Sequence, residues 1–214
     1  MKQGNVPCIV FLLWVISLLN SSTVKAEEAT NRFEQRIQYQ QAMALLRSGQ
    51  RTRFLKLAEQ LADYPLSVYL TYADLTRRIS RQPSEQIEAF RQQHPDTPLA
   101  DQLLQTWLYS LARRGRWQEF VQHHQEEIST TRLDCYRLLA LHKTGQEELA
   151  LELTSNYWVV DHSQPDECDP MFKLWRDAGY LTQEVAWQRL SMSIEANETS
   201  LASYLANFLS RENN

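Results

Sequence analysis

The sequence is poor in residues that break or flex a chain. Its 214 positions include five Gly and seven Pro, too few for a collagen, a flexible linker or a low-complexity segment. β-Branched residues are scarce as well: beyond residue 26 there are five Val and five Ile against 26 Leu. That balance excludes a sheet-rich fold and favours helix. Basic charge is not in surplus, since 22 Lys and Arg face 26 Asp and Glu for a net charge of −4. A nucleic-acid binder neutralises phosphates with an excess of Lys and Arg, so that class is excluded. Long apolar runs are missing except at the N-terminus.

That run, from Cys8 to Leu19, follows the positive charge of Lys2 and precedes the polar stretch Asn20, Ser21, Ser22, Thr23. This is the layout of a signal peptide. As a helix the run would rise only about 18 Å, short of the roughly 30 Å hydrocarbon core, so no permanent membrane anchor is expected. Val24 and Ala26 supply the small residues that signal peptidase requires, predicting cleavage after Ala26 and export, to the periplasm in a bacterium. Lipidation at Cys8 is not expected, because this cysteine opens the apolar run instead of following it. Cleavage removes Lys2 and Lys25 and no acid, which shifts the net charge from −4 to −6. Cys135 and Cys168 remain, and in an exported protein an even pair reads as a disulfide before it reads as a metal or catalytic site.

Helical periodicity fills the rest. Gly49, Gly115, Gly145 and Gly179 each end such a run, as expected of a left-handed residue capping a helix. Their spacing fits a repeat of about 33 residues, with Gln82 and Pro83 standing at the one break that lacks a glycine. That period is the signature of stacked helix pairs of the tetratricopeptide-like kind. The clearest helix runs from Pro98 to Arg114, where Leu99, Leu103, Leu104, Trp107, Leu108, Leu111 and Ala112 share one face. Thr97 is expected to cap it, with Pro98 in its first turn, and Asp169 with Pro170 to repeat the device. Further helices are predicted over 31–48, 52–63, 66–81, 84–94, 117–127, 131–144, 146–157, 170–178, 183–196 and 198–210. The stretch from Val159 to Glu167, which contains Pro165, is predicted irregular. The expectation is an all-α fold, one elongated α-solenoid over residues 27–214 after the 1–26 signal peptide.

The order of motifs resembles that of the periplasmic soluble lytic transglycosylases. The residues that carry the resemblance are Tyr64, Pro65, Leu66, Ser67, Val68, Tyr69, Leu70, Thr71, Tyr72; then His94 through Trp117, with Pro95, Thr97, Pro98, Trp107, Gly115; then Asp134, Cys135, Tyr136 through Gly145; and finally Cys168, Asp169, Trp175, Gly179, Trp187, Gln188, Arg189. The resemblance covers almost all of residues 31–210. It implies an N-terminal U-shaped superhelical domain that helps enclose peptidoglycan glycan strands, with no cofactor. Family members cleave the β-1,4 bond between N-acetylmuramic acid and N-acetylglucosamine and leave a 1,6-anhydro end. That chemistry belongs to a separate lysozyme-like domain, marked by a catalytic Glu followed by Ser and by a Gly-Leu-Met-Gln segment. Neither mark occurs in this sequence, so the expectation is an incomplete superhelical portion that is non-catalytic alone. A standalone periplasmic adaptor binding a protein partner or peptidoglycan fits the same residues.

Glycoside cleavage needs a carboxylic acid in a cleft with its pKa raised by burial. Glu126, Glu127, Glu147 and Glu148 fall instead on polar faces or loops. His123 and His124 are adjacent, about 100° apart around a helix, and cannot chelate one ion; both are expected at the surface. Asp166, Glu167 and Asp169 around Cys168 lack the glycine of a calcium loop and are expected to form the turn that starts a helix. No metal site is expected. The candidates for contact with glycan or with peptide-stem carboxylates are two arginine groups: Arg77, Arg78 and Arg81 on one helix, and Arg113, Arg114 and Arg116 beside Trp117 at a helix-pair turn. Trp107, Trp117, Trp158, Trp175 and Trp187 are otherwise expected in the core. Asn197, Glu198, Thr199 matches a glycosylation sequon, which matters only in a eukaryote.

Overall fold

The computed structural model describes residues 30–209. The signal peptide read over 1–26 lies outside these residues. Eleven α-helices and four short 3₁₀ turns account for the regular structure, with no strand among the described residues. The helices are α1 (30–47), α2 (Arg51–Gln60), α3 (Ser67–Arg77), α4 (Ser84–Gln93), α5 (Pro98–Arg113), α6 (Trp117–His123), α7 (Thr131–Lys143), α8 (Glu147–Trp158), α9 (Asp169–Asp177), α10 (Gln183–Glu195) and α11 (Thr199–Leu205). No helix among the described residues is long and apolar enough to cross a membrane. The chain falls into two compact units that divide between Arg77 and Arg78.

The first unit holds α1 to α3 around Ala42, Leu46, Phe54, Leu61 and Leu70. An ion pair braces it. Arg51, at the start of α2, donates from Nε to Asp74 Oδ1 at 2.9 Å and from Nη2 to Oδ2 at 2.8 Å. The Asp74 side chain is 10% exposed and that of Arg51 41%. This two-pronged bond holds the Arg51 guanidinium above its usual pKa.

In the second unit consecutive helices from α4 to α9 pack on one another, and α5 also meets α7 while α7 meets α9. That stagger is what stacked helix pairs produce. On α5, Leu103, Leu104, Trp107 and Leu108 are at most 1% exposed, each worth about 1.5–3 kcal/mol relative to water contact. Trp107 satisfies its indole N–H by donating to the Gln82 carbonyl at 3.0 Å, which ties the break before α4 to the middle of α5. Farther along, the Sγ atoms of Cys135 on α7 and Cys168 stand 1.95 Å apart, a disulfide across a separation of 33 residues. Both are fully buried among Leu138, Trp158, Met171 and Trp175.

Local chemistry departs from the sequence reading in several places. The four capping glycines all adopt positive φ, from 68° to 89°, and Asn197 joins them at 61° after α10. Asn tolerates that region because its short amide bonds locally. Thr97 does sit ahead of α5, but its hydroxyl donates back to the His94 carbonyl at 3.1 Å and caps nothing. Among the described residues Thr130 and Thr182 act as side-chain caps, accepting from the amides of Leu133 and Val185 at 3.3 Å each. Asp169 is already inside α9, and Cys168 takes the flanking position. The helix expected over 66–81 ends at Arg77, because Arg78 leaves helical geometry (φ −121°, ψ 26°) and a 3₁₀ turn, Ile79–Arg81, follows. The one expected over 117–127 ends at His123, where His124 swings to φ −64°, ψ 136°.

Candidate functional site

The turn that joins α5 to α6 is built by Gly115, whose φ of 68° lies in the left-handed region that glycine adopts at no steric cost. A Cβ there would also meet Trp117 Nε1 at 3.7 Å. The turn presents Arg116 and Trp117 at the rim of an open groove of about 650 Å³, which reaches Ser84, Gln122, His123 and Lys143. Trp117 is half-buried, and Arg116 is exposed with Nη2 2.7 Å from Glu119 Oε2. Arg113 and Arg114 stay on the same turn but do not line the groove. Arg114, an exposed residue, folds back along its helix to donate from Nε to the Ser110 carbonyl at 3.0 Å, which is the helix-end role of an arginine. The groove thus offers amide, hydroxyl and cationic donors beside one indole face. The Glu119 carboxylate and the His123 ring line it as well.

The other arginine group does not share one helix. Arg77 closes α3 in the first unit and donates to the Arg47 carbonyl at 3.2 Å. Arg78 and Arg81 begin the second unit, flanking and ending the 3₁₀ turn. The tryptophans divide as well: Trp107, Trp158 and Trp175 are each 1% exposed, whereas Trp187 is 60% exposed and is no core residue.

Asp161 is pushed below the ordinary carboxylate range by a hydrogen bond with His162, and Glu184 by its own backbone amide and the Thr182 hydroxyl. Buried Asp74 is neutralised by Arg51. Among the described residues no three His, Cys, Asp or Glu are grouped to hold a metal ion.

One cluster has the composition of a hydrolytic triad and not its geometry. The His124 side chain is 4% exposed, which overturns its reading as a surface histidine; its ring packs against Phe120 with centroids 5.7 Å apart, while His123 sets its edge against Trp107 at 5.1 Å. His124 Nε2 lies 3.0 Å from Ser129 Oγ and 3.6 Å from Asp134 Oδ1, and Ser129 itself donates to Asp134. A triad needs hydroxyl and carboxylate on opposite ring nitrogens. Here both meet the same one, and the hydroxyl proton goes to the carboxylate. Burial, and then the charge of Arg137, push His124 below its ordinary pKa, so the ring is neutral near pH 7. Its role is to pin the loop between α6 and α7, and nothing in the sequence spacing signals it.

No family model matches the chain. Over 191 residues, 89% of its length, it is 30% identical to the soluble lytic murein transglycosylase of Escherichia coli K12, and over 173 residues 31% identical to that of Salmonella typhimurium. The chain spans only 29% and 27% of the length of these curated relatives. Among solved structures, an inactive mutant of the lytic transglycosylase Slt from Pseudomonas aeruginosa superposes with a TM-score of 0.72 at 37% identity, over 81% of this chain and 28% of that one. The 70-kDa soluble lytic transglycosylase of Escherichia coli superposes with a TM-score of 0.74 at 30% identity, over 83% of this chain and 29% of that one. A complex of the 70-kDa soluble lytic transglycosylase with bulgecin A superposes equally, with a TM-score of 0.73. The chain is therefore homologous to one helical segment of soluble lytic murein transglycosylases, less than a third of their length.

Proposed function

We propose that this chain is the superhelical, peptidoglycan-engaging portion of a periplasmic lytic murein transglycosylase. It holds glycan strands and leaves cleavage of the N-acetylmuramic acid to N-acetylglucosamine bond, with its 1,6-anhydro product, to other parts of such an enzyme. The observation that carries this reading is the match over 89% of the chain to one segment of the murein transglycosylases. The disulfide between Cys135 and Cys168 supports an oxidising compartment such as the periplasm.

The groove beside Gly115 is the contact surface in this reading. Trp117 stacks on the apolar face of a sugar, and Arg116 and Lys143 meet stem-peptide carboxylates, with Arg113 and Arg114 adding long-range attraction. The test is cosedimentation with purified sacculi of the exported chain, Glu27 to Asn214, against an Arg116→Glu, Lys143→Glu variant. Both substituted side chains are exposed, so the fold tolerates the change. Retention is expected to fall about tenfold and to weaken with salt. Equal retention of the two proteins would remove the groove from the account.

A further inference from the structure

A second cavity, of about 360 Å³, opens between the end of α8 and the helices α9 to α11. Its floor is Arg189, 3% exposed. The guanidinium lies 4.7 Å above the ring of Trp158, donates from Nε to the Val160 carbonyl at 3.2 Å and from Nη2 to the His162 carbonyl at 3.1 Å. These bonds hold the irregular segment that contains Pro165 against α10, which accounts for part of the residue's burial. They do not account for its charge. No described acid forms an ion pair with Arg189. Burial lowers its pKa to about 10, so it remains a cation at neutral pH, compensated only by two neutral carbonyls and an aromatic face.

Two further groups at the cavity are also underused. Arg176 rests its guanidinium 5.5 Å from the Phe208 ring and has no acidic partner among the described residues. The Oε1 atom of Gln164 is buried without a donor, while its Nε2 lies 3.4 Å from His162 Nε2. A buried amide oxygen without a partner costs about 1–3 kcal/mol, a deficit that a bound donor would remove. Asp169 is the acid that lines the cavity, so two guanidiniums and one carboxylate leave it net positive. Ser163, Ser200 and Tyr204 complete the wall with hydroxyls.

We propose that this cavity binds a small carboxylate that also carries an N–H or O–H donor, the arrangement found at the C-terminus of a short peptide. The carboxylate pairs with the Arg189 and Arg176 guanidiniums, and the last amide N–H of the peptide fills Gln164 Oε1. A neutral sugar has no use for two guanidiniums. Inorganic phosphate, which carries a P–OH donor at neutral pH, is the competing small anion that the titration separates from a carboxylate. The site is separate from the Gly115 groove and does not rest on the peptidoglycan reading.

The test is a ¹H–¹⁵N NMR titration of the exported chain, following the Arg189 Nε–H and Trp158 indole signals. The probes are N-acetyl-alanyl-alanine in its L and D forms, the C-terminal amides of both, and inorganic phosphate. The free acid of at least one hand is expected to move both signals saturably, with its amide and phosphate at least tenfold weaker. A D preference assigns the site to cell-wall peptides and an L preference to protein-derived ones, and either supports it. Arg176→Gln, at a half-buried position that keeps the fold, is expected to weaken the acid about tenfold, and Gln164→Leu to weaken it severalfold. Equal response to acid and amide, a phosphate response as strong as that of the acid, or no response to any probe would overturn the proposal.

Discussion

The disulfide is the strongest single constraint on the second unit, and its worth can be worked from the structure. Replacing Cys135 and Cys168 together by Ala opens a loop whose ends are 33 residues apart, for which loss of closure entropy amounts to about 3.5–4 kcal/mol. Both sulfurs are fully buried, so their removal leaves small voids that add about 1 kcal/mol. For the roughly 130 residues of the unit, with an unfolding entropy of about 2.1 cal/mol/K per residue, this corresponds to a fall in Tm of about 15 °C. Circular dichroism at 222 nm measures the shift, and a non-reducing peptide digest establishes the link in the parent protein. A chain prepared from Glu27 onward has only these two cysteines, so no other thiol confuses the digest. A fall of less than about 4 °C, or two free thiols in the parent, would refute the reasoning.

The Arg51 and Asp74 pair should respond asymmetrically. Arg51→Ala removes a two-pronged partner from a carboxylate that is 10% exposed and should cost about 1–3 kcal/mol in denaturant melts, whereas Asp74→Ala leaves an arginine with access to water and should cost less; equal losses would show that the carboxylate is solvated. His124 supplies a pH dependence. Its folded pKa is depressed by burial, so the unfolded chain takes up the proton first as pH falls below the ordinary histidine value of about 6.5. The stability it supports is complete above that value and declines as pH drops toward the folded pKa. Melting of the parent and of His124→Gln from pH 8 to 5 should therefore converge at the acid end, and parallel curves would contradict the neutral buried ring.

Much of the fold is legible in the sequence because a few residue types carry it. Glycine punctuation and the Leu face of α5 locate helices to within a few residues, and the Cys135 and Cys168 pair follows from compartment and parity. The misreadings differ in physical origin. Thr97 is sited as a cap, but the His94 carbonyl takes its hydroxyl. His124 reads as polar surface until Phe120, Ser129 and Asp134 enclose it. Trp187 sits at helical spacing like the core tryptophans, yet faces outward at 60% exposure. Asn197 performs the turn of a missing glycine. Of the candidate contact residues, Arg116 and Trp117 come together at a groove, while Arg77 and Arg78 fall in different units. Arg189 lies within the Trp187, Gln188, Arg189 motif of the family resemblance, but its burial against Trp158 depends on a segment nearly thirty residues earlier.

The central claim is that the chain engages peptidoglycan without cutting it. The most direct measurement is to incubate the purified chain, Glu27 to Asn214, with isolated sacculi, then assay the pellet for bound protein and the supernatant for soluble 1,6-anhydro muropeptides. Saturable retention with no anhydro product is the predicted result. Failure to bind intact sacculi, or release of anhydro muropeptides by the chain alone, would contradict it.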